Sequence, residues 1–208
     1  MTSSFEYKGV EVVFLRHAGF KIKGSKTIYI DPYDIPEDAD LEKADYIFIT
    51  HDHFDHMDFK AIKKLSTPDT TIVTPHSCSV EGFSTCTLQI GQKEKLDSIS
   101  VETVPAYNIN KRFHPKGQYV GYIIEMDGVR IYHAGDTDYT PEMKEVSADI
   151  ALIPVGGTYT MDVEDAKKAV KEMKVNYIIP MHYGVIPDTE ADVSKLESDK
   201  VVILKPLF

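Results

Sequence analysis

The chain alternates between short apolar runs and polar turns, and this pattern predicts most of its secondary structure. Runs of about four to eight residues that are rich in Val, Ile, Tyr and Phe, and bounded by turn residues, are typical of strands. Gly24-Ser25 and Asp127-Gly128 each join two such runs and predict tight hairpin turns. We therefore expect strands at 10–15, 20–23, 27–30, 46–50, 71–74, 87–90, 99–104, 119–126, 129–133, 150–154, 177–179 and 201–204.

Apolar residues at helical spacing predict few helices. The clearest apolar stripe covers 163–173, where Asp162 is placed to cap the first turn. A second helix is expected over 58–65, and a weaker one near 190–197. Early hairpins followed by alternating strands and helices predict an α+β fold, with two packed sheets and helices outside, as a single domain over 1–208.

Charge and cysteine usage exclude several classes of partner. The formal net charge is -10, which disfavours a nucleic-acid or anionic membrane surface. Two cysteines, without a secretory leader at the start, predict a reducing cytoplasm. No apolar run is long enough to span a bilayer. We expect a cytoplasmic protein with no nucleic-acid and no membrane partner, either as a monomer or as a homo-oligomer.

The side chains with the clearest chemistry lie where the run 46–50 ends. His51, His53, Asp55 and His56 fall within six residues. In an extended segment, residues two apart point to the same side, so His51 and His53 can face one cation together. Asp55 and His56 follow on the predicted turn and are free to face a second cation. Imidazole and carboxylate suit zinc, manganese, iron or nickel without a thiolate.

Three further polar residues, Asp136, His182 and His114, lie next to predicted strands. Asp136 and His182 follow the ends of apolar runs, and His114 lies in the loop before 119–126. Taken singly, an Asp in a Gly-Asp-Thr turn is usually a turn residue, and a lone His is more often a hydrogen-bonded structural residue. Only their occurrence together with the His-rich segment makes them candidate ligands, with Asp136 able to bridge two cations.

Several motifs in a fixed order resemble those of a known family. Thr-His-Asp-His-Phe-Asp-His at 50–56, Ala-Gly-Asp-Thr at 134–137 and Pro-Met-His-Tyr-Gly at 180–184 resemble the metallo-β-lactamase superfamily. The segments 15–20 and 30–32 resemble its branch of small metal-dependent hydrolases, which is related to ascorbate-6-phosphate lactonase. The resemblance implies a four-layer αββα sandwich with a two-metal site at one edge of the paired sheets.

The resemblance also implies how seven side chains divide between two cations. For the third ligand of the first cation, the family usually has a His soon after the strand at 99–104, where this chain has Asn108. We prefer His114 over Asn108, because imidazole is the better ligand for a borderline divalent ion. The implied ligands are His51, His53 and His114 for the first cation, Asp55, His56 and His182 for the second, and Asp136 for both.

Other residues are candidates for the substrate cavity. His17 either lines the cavity or donates a hydrogen bond to a ligand carboxylate. Tyr183 is expected either to donate to a developing oxyanion or to pack in the core. Lys111 and Arg112 either bind an anionic group of the substrate or belong to a solvated loop. Asn108, where it is not a ligand, joins this group of candidate substrate-binding residues.

These expectations predict a binuclear metal-dependent hydrolase. Two cations that share one water lower its pKa, and the metal-bridged hydroxide would attack a small ester, lactone or phosphate ester. Asp55 is expected to accept the proton of the water and to pass it to the leaving group. Zinc is the first expectation for both cations, with manganese, nickel or iron as alternatives. The expected partner is a small-molecule substrate, anionic if the basic loop binds it.

Three other functions compete with this prediction. In chains that resemble thiolester hydrolases of the glyoxalase II kind, Gly-Gly follows the His-rich motif. In this chain Met57-Asp58 follow it. Chains that resemble flavodiiron redox proteins have Glu at the position of His53 and carry a flavin domain. This chain has His53 and has no room for a flavin domain. A non-catalytic metal-binding protein on the same fold is the remaining alternative.

Overall fold

Two mixed β-sheets make up most of the fold in this computed structural model, which describes residues 2–208. Within those residues the first sheet has seven strands and the second has six. The first sheet contains β1 (Ser4–Tyr7), β2 (Val10–Arg16), β3 (Gly19–Lys23), β4 (Thr27–Ile30), β5 (Tyr46–Phe48), β6 (Thr71–Pro75) and β7 (Ser84–Leu88). The second contains β8 (Lys93–Leu96), β9 (Ile99–Ala106), β10 (Tyr119–Met126), β11 (Val129–His133), β12 (Ser147–Pro154) and β13 (Lys174–Met181).

Each sheet begins with antiparallel hairpins and continues with parallel strands. In the first sheet β1 to β4 are antiparallel, and β4 to β7 are parallel. In the second sheet β8 to β11 are antiparallel, and β11 to β13 are parallel. The hairpin turns predicted at Gly24-Ser25 and Asp127-Gly128 are confirmed. Parallel neighbours end at the same edge of their sheet, so β4 and β5 end together, as do β11 and β13.

The helices within residues 2–208 are α1 (Phe59–Leu65), α2 (Pro141–Lys144) and α3 (Val163–Glu172). Asp58 caps α1, since its side chain accepts hydrogen bonds from the backbone N–H groups of Lys60 and Ala61. Asp162 caps α3 in the same way, as predicted. None of these helices is long and apolar enough to cross a membrane.

Three buried clusters define the layers of the fold. The first lies between the two sheets and includes Phe20, Phe48 and Tyr122. The second packs α2 and α3 on the second sheet, with Ala166 at its centre. The third packs α1 on the first sheet through Ile62 and its neighbours. The order helix, sheet, sheet, helix is the four-layer αββα sandwich that the sequence predicts.

Two predictions for the C-terminal part of the chain are wrong. The segment 190–197 contains only a 3₁₀ turn, Val193–Lys195, because its one buried apolar residue, Leu196, gives a helix no apolar stripe to pack. The predicted strand at 201–204 is reduced to one bridge between Val201 and Ile178. Beyond it the backbone turns to the first sheet, where Leu207 donates to carbonyl oxygens of β2.

Candidate metal centre

The candidate ligands meet at the edge where parallel strands of both sheets end. Gly135, just before Asp136, has a φ of +63°, and a Cβ there would lie 2.9 Å from the carbonyl oxygen of Val120. Only glycine fits this position without strain, so Gly135 allows the chain to bring Asp136 to the edge. After β5 come four candidate ligands, His51, His53, Asp55 and His56. Asp136 follows β11, His182 follows β13, and His114 lies in the β9–β10 loop.

A first cluster consists of His51, His53 and His114. One ligand atom from each of these residues lies within 4.8 Å of the others. The ring of His114 is centred 5.1 Å from that of His51 and 5.0 Å from that of His53. The structure thus brings His114, the preferred candidate for the third ligand, to the two histidines that precede it in the chain.

A second cluster consists of Asp55, His56 and His182, together with His17. Their ligand atoms also lie within 4.8 Å of one another. Asp55 Oδ2 is 3.8 Å from His56 Nε2 and 3.9 Å from His182 Nε2. The two halves of the segment 51–56 therefore face two different positions, as the sequence predicts.

Asp136 lies between the two clusters. Its Oδ2 atom is 3.3 Å from His114 Nε2, in the first cluster, and 2.9 Å from His182 Nε2, in the second. Its Oδ1 atom is 3.2 Å from His56 Nε2. A carboxylate that reaches both groups of nitrogens can bridge two cations.

The atoms that face this centre fit bound cations. Ligand atoms about 2.0–2.2 Å from one cation lie about 3–3.5 Å from each other, which is the range of the short distances around Asp136. Buried polar atoms in proteins normally have a hydrogen-bond partner. Within the described part of the chain, seven buried atoms of this centre have none. Five of them are Nε2 of His51, His56, His114 and His182 and Oδ1 of Asp136, and the other two are Nδ1 of His17 and of His182.

Asp31 orients two of the ligand rings. Its Oδ2 atom lies 2.7 Å from Nδ1 of His56 and accepts a hydrogen bond from the hydroxyl of Thr50 at 2.6 Å. The hydroxyl hydrogen is thereby committed, so Nδ1 of His51, 2.9 Å away, is the donor to Thr50. We assign the hydrogen of both rings to Nδ1, which leaves the lone pair of each Nε2 for a cation.

His114 is oriented by the loop that carries it. Its Nδ1 atom lies 3.1 Å from Oδ1 of Asn108 and 3.2 Å from the carbonyl oxygen of Tyr159, both acceptors, so Nε2 is again free. The amide nitrogen of Asn108 donates to Asp138 at 3.2 Å, and Nζ of Lys111 donates to the same carboxylate at 2.6 Å. The structure places Asn108 behind His114, as a group that holds it.

His17 lies behind the second cluster and is fully buried. Burial lowers its pKa to about 4, although the hydrogen bond with Asp55 raises it. The ring is therefore neutral at pH 7, and its Nε2–H donates to Asp55 Oδ2 over 2.9 Å. Its backbone oxygen accepts from the N–H of His182 at 2.7 Å. The two alternatives predicted for His17 are lining the cavity and donating to a ligand carboxylate. The structure shows the hydrogen bond to Asp55, a candidate ligand.

Three other predicted site residues lie outside the cavity lining. Tyr183 packs against the second core cluster. Lys111 also donates to the carbonyl oxygen of Thr160, at 2.9 Å. Arg112 is exposed on the loop surface. None of the three lies among the described residues that line the cavity, so their roles toward oxyanion and substrate stay predictions.

A cavity of about 430 Å³ opens over the ligands, a size typical of small-molecule sites. Five candidate ligands form its floor, and mostly apolar residues form its sides. The floor consists of His53, Asp55, His114, Asp136 and His182, and the sides of Asp52, Phe54, Phe113, Tyr159 and Ile186.

The centre concentrates buried negative charge. Burial raises the pKa of Asp136, but His182 and His56 outweigh this effect and hold the pKa well below its usual range. Burial also raises the pKa of Asp55, and nearby groups, His56 foremost, bring it down to about 2. Buried charges in proteins are paired or bind metals. Within residues 2–208 no Lys or Arg forms an ion pair with Asp31, Asp55 or Asp136, which favours cations at this centre.

Comparison with known families agrees with this arrangement. Residues 11–182 match the family model of the β-lactamase superfamily domain. The matched region contains all seven candidate ligands. The chain therefore belongs to the metallo-β-lactamase superfamily, and both the predicted resemblance and the predicted fold are confirmed.

Within the superfamily, the chain groups with metal-dependent hydrolases. A UPF0173 metal-dependent hydrolase of Pyrococcus furiosus is 36% identical, over 95% of this chain and 97% of that protein. A second, of Thermococcus onnurineus, is 38% identical with the same coverage. A metallo hydrolase of Ignicoccus hospitalis has a solved structure with a TM-score of 0.80 and 29% identity over 95% of both chains. The narrower relation to ascorbate-6-phosphate lactonase stays a prediction.

Several residues of the site carry little signal in the sequence. Asp31 is marked only by its position directly before Pro32, at the end of an apolar run. Thr50 is a threonine at the end of a predicted strand, which by itself marks no function. Phe54 and Phe113, on the sides of the cavity, look like core residues until the fold places them at the surface.

Proposed function

We propose that the protein is a binuclear metal-dependent hydrolase that acts on a small ester, lactone or phosphate ester. The observation that carries this proposal is the convergence of side chains from distant segments, with their ligand nitrogens buried and unpartnered. The cavity above them supports access by a small molecule. Bound there, two divalent cations supply a water of lowered pKa and stabilise the negative charge that develops on the substrate.

The ligand chemistry supports a division of the site between the two cations. Three neutral imidazoles, those of His51, His53 and His114, would hold the first. Asp55, His56 and His182 would hold the second, with Asp136 shared. Nitrogen and carboxylate ligands without a thiolate favour zinc, and also suit manganese, nickel or iron.

Asp55 is the residue that we assign to proton transfer. Its Oδ2 atom accepts the hydrogen bond from His17, which fixes the orientation of the carboxylate. The residue also lines the cavity, so that Oδ1 can accept the proton of the attacking water and return it to the leaving group. His17 thereby acts as a positioning residue for Asp55.

Metal analysis of the purified protein tests the two-cation site. We expect two cations per chain in the wild type and about one in His114→Ala, because this variant removes a ligand of the first cation only. His76→Ala is the matched control, since His76 is exposed and lies outside both clusters. Two firmly held cations in His114→Ala would contradict the ligand assignment.

A panel of an ester, a lactone, a phosphodiester and a thiolester tests the reaction. With metal at saturation, we expect turnover of at least one oxygen ester, and a loss of about 100-fold or more in kcat for Asp55→Asn. Asp69→Asn serves as control, because Asp69 is an exposed carboxylate outside both clusters and outside the cavity lining. Turnover of the thiolester alone would favour a thiolester hydrolase of the glyoxalase II kind. Absence of turnover with full metal content would favour a non-catalytic metal-binding protein.

A further inference from the structure

Apart from Asp52, the sides of the cavity are apolar and mostly aromatic. Phe54 is 68% exposed and Phe113 is 37% exposed, and Tyr159 and Ile186 complete this apolar rim. Single exposed apolar side chains are common on protein surfaces. Two exposed rings that converge on one cavity with two half-buried apolar side chains are less so, and such patches mark binding sites. The rim therefore bears on what the cavity binds.

Aromatic contacts hold the two phenylalanine rings in place. The ring of Phe54 meets that of Tyr33 at a centroid distance of 6.1 Å and an angle of 73°. The ring of Phe113 meets that of Tyr159 at 4.8 Å and 75°. Edge-to-face geometry of this kind is favourable. The rim is thus formed before a ligand arrives, which lowers the entropy cost of binding.

The cavity lining within the described chain contains no Lys or Arg. Of the three basic residues in the neighbouring loop, Lys111 is paired with Asp138 at 2.6 Å and Lys116 with Glu142 at 3.0 Å. The third, Arg112, is exposed and lies outside the cavity lining. A phosphate or carboxylate held away from the cations would therefore lie against phenyl rings without a partner. Such burial of a charge is unfavourable, so the rim selects against a second anionic group on the substrate.

We propose that the substrate carries an uncharged apolar group, an aryl ring or an alkyl chain, beside the bond that is cleaved. Phe54, Phe113, Tyr159 and Ile186 bind this group while the reacting bond lies over the metal ligands. The inference rests on the proposed function for the position of the bond. Binding of the apolar group, however, is a property of the rim and does not need the cations. It is an alternative to the anionic substrate group expected from Lys111 and Arg112, which stays a prediction.

Binding of a neutral apolar dye tests the rim without reference to activity. N-phenyl-1-naphthylamine is titrated into the metal-free and the metal-loaded protein, and its fluorescence is followed. We expect Phe54→Ala and Phe113→Ala each to weaken binding by about tenfold in both forms. Phe59→Ala is the matched control, because Phe59 is 51% exposed at the start of α1 but lies outside the cavity lining. Thermal unfolding confirms that all three variants are folded.

A matched pair of substrates tests the same rim in turnover. 4-Nitrophenyl hexanoate and mono-4-nitrophenyl adipate differ at the end of the acyl chain, which is a methyl group in one and a carboxylate in the other. We expect kcat/KM to favour the hexanoate by at least about tenfold in the wild type and in Phe59→Ala. The preference should fall in Phe54→Ala and Phe113→Ala.

The outcomes separate this inference from the proposed function. Dye binding that depends on Phe54 and Phe113, in a protein that hydrolyses no ester, supports the apolar site and counts against the hydrolase proposal. Ester hydrolysis with no preference for the hexanoate, and dye binding equal in all variants, overturns the inference alone. A change of oligomeric state in Phe54→Ala with unchanged dye binding also overturns it, since the rim would then contact a second copy of the chain.

Discussion

Oδ2 of Asp31 lies 2.7 Å from Nδ1 of His56, although the two residues are 25 positions apart in the chain. Both side chains are fully buried. Asp31 directly follows β4 and has a φ of 44°, an uncommon conformation for a residue with a side chain. Unusual backbone conformations of this kind cluster at functional sites. The carboxylate fixes the tautomer of His56 and, through Thr50, that of His51, so one residue orients a ligand of each proposed cation.

Replacing Asp31 should weaken metal binding without removing a ligand. In Asp31→Asn the charge that supports the Nδ1–H group of His56 and the hydroxyl group of Thr50 is lost. We expect metal affinity, measured by competition with a chelator, to fall by about 10–100-fold. Asp38→Asn, an exposed carboxylate in the following loop, should bind metal as the wild type does. Wild-type affinity in Asp31→Asn would show that the ligand rings are oriented without it.

Lys111 should act on the position of His114 and not on the substrate. Lys111→Met keeps the length of the side chain but leaves the buried Asp138 without its charged partner. We expect a loss of about 1–3 kcal/mol in the free energy of unfolding, together with lower occupancy of one cation. Lys116→Met is the matched control, because the partner that Lys116 leaves behind, Glu142, is partly exposed. The losses of stability and of cation occupancy should both be small in this variant. A higher KM with unchanged metal content and stability would instead assign Lys111 to substrate binding.

Gly135 should tolerate a side chain poorly. A Cβ there would lie 2.9 Å from a backbone oxygen of Val120 and 3.1 Å from Cβ of Thr50. We expect Gly135→Ala to lower the free energy of unfolding by about 2 kcal/mol or more and to reduce metal content, because Asp136 follows it. Gly91→Ala also has a positive φ, of +78°, but meets no atom within 4 Å. Denaturant titration of the metal-free proteins measures the difference, and equal losses would contradict the close approach.

Asp127 links hairpin turns of the two sheets, since its Oδ2 atom accepts a hydrogen bond from the N–H of Ser25 at 2.6 Å. This bond holds the pKa of Asp127 below its usual value. A lowered carboxyl pKa stabilises the fold above the unfolded pKa, and the effect is lost as the pH falls through the folded pKa.

Asp127→Asn tests this stabilisation, because Asn suits the φ of 53° at this position as well as Asp does. The variant should unfold about 1–2 °C below the wild type at pH 7. The difference should shrink below about pH 4, near the unfolded pKa of Asp. A difference that stays constant down to pH 3 would show that the charge plays no part.

The sequence predicts local features of this fold well, because their causes are local. The cap at Asp162 and the turn at Asp127-Gly128 depend on side chains within a few residues. The division of the segment 51–56 between two clusters follows from the geometry of an extended chain that enters a turn. The chain end at 201–204 is different, since its path depends on contacts with the first sheet.

Features of the site that depend on distant contacts are harder to predict. His114 and Asn108 lie in one loop. The side-chain amide of Asn108 donates to the buried Asp138, and its oxygen lies next to Nδ1 of His114. These contacts, which the sequence does not reveal, leave His114 to face the other candidate ligands. Asp31 gains its role from the pairing of β4 with β5. The exposure of Phe54 and Phe113 depends on where both sheets end. The presence of two phenylalanines in the sequence therefore does not predict that they line a cavity.

The position of the cations is the central claim, and anomalous diffraction from crystals of the zinc-loaded protein tests it most directly. We predict two anomalous peaks about 3.5–4 Å apart. One should lie among His51, His53 and His114, the other among Asp55, His56 and His182, with Asp136 touching both. A single peak, or peaks away from these residues, would contradict the binuclear site and the hydrolase built on it.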